Sequence, residues 1–290
     1  MGEYLQTENR HMQERGLDMR KLAFNEYEAV LPLLETIRNQ AVYALSVIDG
    51  TQQGSVFVNE GNRITSAFIT SSGGFYGVAG DETNDVFVRD VIQYMNDESN
   101  HPDFFALGVN TQAWENRMDV YSIQHSRKIS RTYYRFNQGR FIKSYEEFVQ
   151  SYGKSAITPQ KQFEYYPLEL DIATKYREHF YPYYKLVWPS AEKFCAHGIG
   201  HFIMKDKELI SVCTSPYVGG GYAEIDIITV VEFQRQGLAS KLGILFIQDC
   251  LDQNLTPNWS CHTDNAGSNE MAQKLGFEKI GEHSMYWYHA

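Results

Sequence analysis

Long apolar runs are missing from this chain: no stretch approaches the roughly 20 residues that a membrane-spanning helix requires. Cysteines in metal-binding pairs are missing as well. Cys195, Cys213, Cys250 and Cys261 all fall in the second half, without the close spacing that holds zinc, and they read as reduced, buried thiols. Basic residues are in deficit, 26 Lys and Arg against 36 Asp and Glu, for a net charge of −10. Binding to a phosphate backbone depends on clustered cations, so this balance argues against a nucleic-acid partner. The same acidity favours a cationic small molecule such as an amine. The first residues, MGEYLQTENRHMQERG, are polar and helix-prone and lack the apolar core of a signal peptide. A cytoplasmic protein without a membrane partner is the expectation.

A hydrophobic content of 43% with 21% charged residues describes an ordinary globular protein, and 290 residues suffice for two domains. The most informative stretch runs from Ala223 to Gln253. Ala223 to Val230 is short and rich in β-branched residues, which reads as a strand. Further on, Leu238, Leu242, Leu245, Phe246 and Cys250 recur at the spacing of one helix face. Between them stands Gln234-Arg235-Gln236-Gly237-Leu238-Ala239. A helix that opens on glycine after a tight turn offers unpaired N–H groups and the positive end of its dipole to an anion. Gly237 has no side chain to hold a phosphate away from the backbone.

That turn resembles the (Arg/Gln)-x-x-Gly-x-(Gly/Ala) signature of the GNAT superfamily of acyl-CoA-dependent N-acyltransferases. A second block, from Asn265 through Ser268, Met271, Ala272 and Lys274 to Gly276-Phe277, is similar to that family's late helix, with an apparent strand at Trp259 to Thr263 between the blocks. The order of elements repeats along the chain. Gly54 to Asn59 and Ile64 to Thr70 read as strands about a turn at Glu60-Gly61-Asn62. Gly74 to Ala79, a helix from Asp85 to Asn96, a strand from Phe104 to Val109, a helix from Gln112 to Tyr121 and a strand from Ile129 to Phe136 follow. Gly200 onward matches Gly54 onward, and Trp259 to Phe277 matches Phe105 to Tyr121.

The expected fold class is therefore α/β (α+β), with two GNAT-like halves, each a mixed, mostly antiparallel sheet flanked by helices. The expected division is a polar extension over 1–20, a degenerate half over 21–150 and a catalytic half over 151–290. Its join lies between Phe141 and Lys161, where GKSAITPQKQ is polar and carries Gly153 and Pro159. In the first half Asn84-Asp85 stands at the matching helix start, with no glycine and with carboxylates where a pyrophosphate would lie. The whole pattern resembles a bacterial family of two-half GNAT proteins that includes zwittermicin A resistance enzymes.

The resemblance implies acetyl-CoA as co-substrate, no metal, and acetyl transfer to a primary amine of a small molecule, an antibiotic or an amine metabolite. It assigns the pantetheine to the strand edge at Ile227, Ile228 and Thr229. The pyrophosphate falls to Gln234, Arg235, Gln236, Gly237, Leu238, Ala239 and Ser240, with Asn265 nearby. A typical amine is mostly protonated at pH 7, so something must accept its proton. The family's glutamate base maps to Glu224. Asp226 lies two residues on, and strand alternation puts both carboxylates on one face, opposite Ile225 and Ile227. The family's tyrosine acid maps to Ala272, which leaves Ser268, Tyr286 or water to protonate the departing thiolate. Aromatics from Phe180 to Trp188 fall where the family walls its acceptor cleft, with Trp188 and Tyr184 as the first candidates and core packing as the competing role. His197 and His201 flank Gly-Ile-Gly with no third ligand, so a metal is not expected.

Two other classes fit the same residues. A weak CoA- or amine-binding sensor or resistance protein would also lack the tyrosine, and thiol release with pooled amines separates it from an enzyme. An aminoacyl-tRNA-dependent transferase would also pair two such halves, but it conflicts with the acidic balance. A homodimer is admitted by the sequence, which does not fix the oligomeric state.

Overall fold

The computed structural model describes residues 16–100, 104–153 and 162–289. Most of the expected extension over 1–20, and the part of the expected join at 154–161, lie outside them. The chain forms two compact units. One ends at Arg131 and is rejoined at His283, and the other is Thr132–Glu282. The expected division at 150/151 is thus displaced: the chain enters the second unit partway along one strand and returns to the first partway along its last strand.

The first unit starts with β1 (Arg20–Lys21) and the helical turns Phe24–Val30, Leu31–Leu34 and Glu35–Gln40, with Pro32 in the first turn of the middle one, then α1 (Val42–Ile48). All seven residues of α1 are buried. It lacks a polar face, so helical periodicity does not reveal it. There follow β2 (Gly54–Val58), β3 (Ser66–Ser71), β4 (Phe75–Gly80), α2 (Asp85–Asn96), β5 (Phe104–Gly108), α3 (Gln112–Met118) and β6 (Arg127–Phe136). These agree with the expected elements to within three residues at each end. β1 to β4 pair antiparallel in order. β4 and β5 pair parallel, which requires the crossover that α2 supplies. The core beneath this sheet gathers Phe57, Phe68, Tyr76, Phe87, Phe105 and Trp114. Burying each such ring contributes roughly 1.5–3 kcal/mol before ordering costs.

In the second unit α4 (Gln138–Tyr152) occupies the beginning of the expected join. Asn137 caps it by accepting from the Arg140 N–H at 3.1 Å, and Gly153 ends it at φ 78°. Its aromatics Phe141, Tyr145, Phe148 and Tyr152 recur at helical spacing, a period that the polar residues beyond Gly153 obscure. β7 (Glu164–Pro167), α5 (Leu170–Lys175), a π-helical turn at Tyr176–Phe180, α6 (Tyr184–Val187) and α7 (Ala191–His197) lead to β8 (Gly200–Lys205) and β9 (Glu208–Thr214). Then come β10 (Val218–Gly219), β11 (Tyr222–Glu224), β12 (Asp226–Thr229), α8 (Leu238–Asp252), β13 (Thr256–His262), α9 (Ala266–Lys274) and β14 (Phe277–His289).

One sheet of this unit has the order β12-β9-β8-β7, and β11 lies between β10 and β13 in the other. β11 and β13 are parallel, with α8 as their crossover. Each unit thus carries the same strand–helix–parallel-strand device. α8 packs on β8, β9, β12 and β13 through Leu238, Leu242, Phe246 and Cys250, the face the sequence predicts, although Leu245 is only half-buried. Gly276 explains the Gly-Phe pair after α9. Its φ is 89°, and a Cβ there would come within 2.5 Å of the Phe141 backbone nitrogen, so a side chain is excluded twice over. The last residues of β14, Met285–His289, pair antiparallel with β5 in the first unit.

Candidate functional site

The expected single strand from Ala223 to Val230 is two strands, and the break organises the site. β11 follows β13, with Glu224 opposite Asn258, and the Ile225 N–H makes the last bond to that neighbour, to the Asn258 carbonyl at 3.0 Å. From Asp226 onward the backbone turns to β9, pairing Asp226 with Thr214 and Thr229 with Ser211. β12 ends its sheet order, so Ile227, Ile228 and Thr229 line a strand edge. An edge of this kind presents a row of backbone donors and acceptors to another chain or to an amide-bearing ligand.

Beyond β12 the chain makes a helical turn at Val231–Phe233 and then the loop Gln234-Arg235-Gln236-Gly237. Arg235 and Gly237 both take left-handed conformations, φ 63° and 74°. The strained Arg235 is the kind of backbone outlier that clusters at functional sites. Gly237 is the N-cap of α8, and no side chain caps that helix. The first N–H groups of α8 therefore face outward without a capping side chain, beside a glycine whose missing Cβ would meet nothing within 4 Å. Gln234, Arg235 and Gln236 are exposed. Ser240 directs its hydroxyl at the Met271 sulfur, 3.9 Å away, a weak interaction that a better acceptor can replace.

Glu224 is half-buried on β11. Ser260 Oγ donates to its Oε1 at 2.7 Å and the Asn258 side chain donates to its Oε2. The sequence reading missed this pair, although Asn258 and Ser260 alternate with Trp259 and Cys261 along β13, the signature of a strand with one polar face. Asp226 is half-buried on β12, with Ile225 buried between the two carboxylates.

Asp226 lies among tyrosines. Tyr184 and Tyr176 are fully buried, their hydroxyls 2.7 and 3.3 Å from Thr214 Oγ1. Tyr183 and Tyr217 share a hydrogen bond of 3.1 Å between their hydroxyls. Burial, together with the Asp226 charge, pushes the Tyr181 phenol up to about 12 and those of Tyr176 and Tyr184 well above the ordinary value. Trp188, expected at the acceptor wall, has no exposed surface. Its indole N–H donates to the Ser215 carbonyl at 3.0 Å and its ring stacks on Phe194, so it packs the core. Tyr184 too is closed off, whereas Tyr181 and Tyr183 keep open surface.

On α9 the expected residues are more widely committed. Asn265 caps the helix, accepting from the Ser268 N–H at 3.0 Å, and Ser268 Oγ accepts from the Trp259 indole at 3.1 Å. Ala272 is completely buried. Tyr286 is in the other unit, where its hydroxyl donates to Asp119 at 2.5 Å. His197 is exposed, while His201 is buried with Nδ1 2.7 Å from the Tyr165 hydroxyl and Nε2 3.2 Å from Asp249. All four cysteines are free, three of them buried.

Among the described residues no helix is long and apolar enough to cross a membrane. A sequence profile of the family described as GNAT acetyltransferase matches residues 31–286. An uncharacterized N-acetyltransferase of Bacillus subtilis (strain 168), YdfB, is 25% identical over 245 residues, 84% of this chain and 89% of the relative. A GCN5-related N-acetyltransferase-like protein from Streptococcus suis 89/1591 superposes with a TM-score of 0.67 at 20% identity, over 91% of this chain and 98% of that one. A tandem GNAT protein from the clavulanic acid biosynthesis pathway does so at 0.57 and 11%, over 93% and 97%. At these identities the two structures speak for the fold alone.

Proposed function

The chain belongs to the GNAT acetyltransferase family, and we propose that it moves the acetyl group of acetyl-CoA to an amine of a small molecule, using the second unit alone. The observation that carries this reading is the uncapped start of α8 at Gly237, immediately after the edge strand β12. Amides of the pantetheine arm pair with the edge at Ile227, Ile228 and Thr229. The pyrophosphate sits on the N–H groups from Gln234 to Ser240, where the helix dipole adds roughly half a positive charge. Asn265 caps α9 through Oδ1, which leaves its amide NH2 to donate near the pantetheine or phosphate.

Glu224 takes the proton of the acceptor ammonium through water, and the freed nitrogen attacks the thioester carbonyl. The C–N bond forms, the C–S bond breaks, and the sulfur leaves as a thiolate. Asn258 and Ser260 hold Glu224 in one orientation, so the base need not be ordered during the reaction. Ala272 offers no proton, and the Tyr286 hydroxyl is donated to Asp119. Ser268 or water protonates the thiolate, which at a thiol pKa of roughly 8–9 is a competent leaving group without help. A binder without turnover is the alternative that buried Ala272 favours, and release of free thiol on adding acetyl-CoA and amines rules it out.

Calorimetry tests the reading. Wild type should bind one CoA per chain. Gly237→Asp, which places bulk and negative charge at the pyrophosphate, should weaken binding by about 10-fold or more, above about 1.4 kcal/mol. Two sites per chain, or unchanged affinity in the variant, contradicts it.

A further inference from the structure

We infer that the acceptor's proton settles on Oε1 of Glu224, because Ser260 can reverse its hydroxyl to hold it there while Asn258 can only donate. The inference rests on the proposed amine transfer at Glu224.

Glu224 and Asn258 are register partners on the parallel strands β11 and β13. Ser260 lies two residues further along β13, on the same face as Asn258. The two side chains therefore straddle the carboxylate, with one donor for each oxygen. Ser260 Oγ donates to Oε1 at 2.7 Å, and Asn258 Nδ2 donates to Oε2. Asn258 is only 2% exposed, and its backbone carbonyl accepts the Ile225 N–H at 3.0 Å. Main chain and side chain thus both fix Asn258 against the segment that carries the base. Ser260 is half-buried, within reach of water, while Trp259 and Cys261 turn to the opposite, buried face.

The two donors differ in what they can become. An amide nitrogen carries two hydrogens and no acceptor site, so Asn258 Nδ2 serves only an ionised oxygen. A serine hydroxyl either donates or accepts, and it rotates to suit its partner. When the amine's proton arrives through water, one carboxylate oxygen becomes O–H and needs an acceptor. On Oε2 that hydrogen would confront the hydrogens of Asn258. On Oε1 it meets Ser260 Oγ, whose own hydrogen swings to water. The ammonium loses one proton, the water passes one on, and Glu224 gains one. Asn258 thus favours the ionised base alone, whereas Ser260 serves both forms. Tyr222 and Asp226 stand two residues to either side of Glu224, and His262 two beyond Ser260, while β10 brings the neutral Val218 and Gly219. These neighbours stay the same in every variant below, so they do not separate one variant from another.

Two measurements test the division. One is an infrared titration of Glu224, its carboxylate band identified as the one that Glu224→Gln deletes. The other is the pH profile of thiol release with acetyl-CoA and either butylamine or phenethylamine. Asn258→Ala should move both the band and the acid limb of activity to higher pH, by about half a unit or more. Ser260→Ala should instead lower kcat about 10-fold across the profile, with acetyl-CoA affinity unchanged and a smaller movement of the band. Ser260→Thr, which restores a hydroxyl, should recover kcat to within about threefold of wild type. Unchanged melting temperatures exclude misfolding, and Asn258→Leu, of similar volume, replaces Asn258→Ala if that variant melts lower. Equal movements in the two variants, or a Ser260→Ala kcat within about threefold of wild type, overturn the inference while the acetyltransferase reading stands. If neither amine is acetylated, the titration decides alone. A larger movement in Asn258→Ala than in Ser260→Ala supports the division, and equal movements or none overturn it.

Discussion

At the start of α2 the helix caps itself: Asn84 accepts from the Phe87 N–H at 3.1 Å, with Asp81 and Asp85 close by in sequence and Arg117 paired to Asp85. At the start of α8 no side chain performs that task, and Gly237 leaves the backbone bare. The same difference recurs where the parallel strands part. β4 pairs with β5 only as far as Gly77, and beyond it the indole of Trp114 donates to the Gly80 carbonyl at 3.0 Å. Trp114 is the third residue after the α3 cap, Thr111, as Ser268 is the third after the α9 cap, Asn265. One unit has a large ring at this helix position, and the other has a small hydroxyl. Two copies of one crossover thus differ in a capped and an uncapped helix start, and four measurements test what that difference does.

The largest expected effect is on stability. Trp114→Ala removes a ring only 2% exposed from the first core, which should cost about 3–5 kcal/mol in denaturant unfolding. It should leave the CoA stoichiometry at one, because Asp81, Glu82 and Asp85 still guard that helix start. Appearance of a second CoA site would show that Trp114 alone closes the first unit. Next, Glu224→Gln should reduce kcat by about 100-fold or more, about 2.7 kcal/mol, with acetyl-CoA affinity unchanged, since only the reacting state loses a partner. A loss smaller than threefold would return Glu224 to a structural role. Moving the plug is the reciprocal test. Ser268→Trp should weaken acetyl-CoA binding by about 10-fold, about 1.4 kcal/mol, and normal affinity would break the equivalence between the two positions.

The smallest effect concerns pH. Hydrogen bonds from Lys128 and then Tyr286 hold the Asp119 carboxyl below its ordinary value. A depressed folded-state pKa stabilises the fold above the unfolded value near pH 4, and that contribution disappears as pH falls through the folded value. Asp119 is 45% exposed, so solvent screening limits the gain to a few tenths of a kcal/mol. The melting-temperature gap between wild type and Asp119→Asn should therefore be small at pH 7 and should vanish as the pH falls through the lowered folded-state value. A gap that persists in acid would assign the effect to packing.

Much of this arrangement was legible before any coordinates. The α8 face, the glycine at its start, the paired carboxylates and the order of strands all follow from local periodicity and from residues a few positions apart. The errors arose where a local pattern served two masters. Ala223 to Val230 is uniformly strand-like, so nothing local marks the break at Ile225, where the chain trades one partner for another. The helix α4 hid in a segment whose polar end suggested a linker. Trp188 and Tyr181 are both aromatic residues of one short stretch, and only burial separates the packed ring from the accessible one.

The sequence by itself determined which elements form, where α8 opens on a glycine and which family the chain resembles, because caps, glycines and periodic faces act within a few residues. Tertiary structure decided the rest. It chose β13 for Glu224 and β9 for Asp226, set Asn258 and Ser260 against the first carboxylate, and gathered Tyr176 to Tyr217 around the second. Those partners lie from nine to fifty positions away along the chain. Hydrogen bonding and close packing bring such residues together, and no local propensity records which of them will meet.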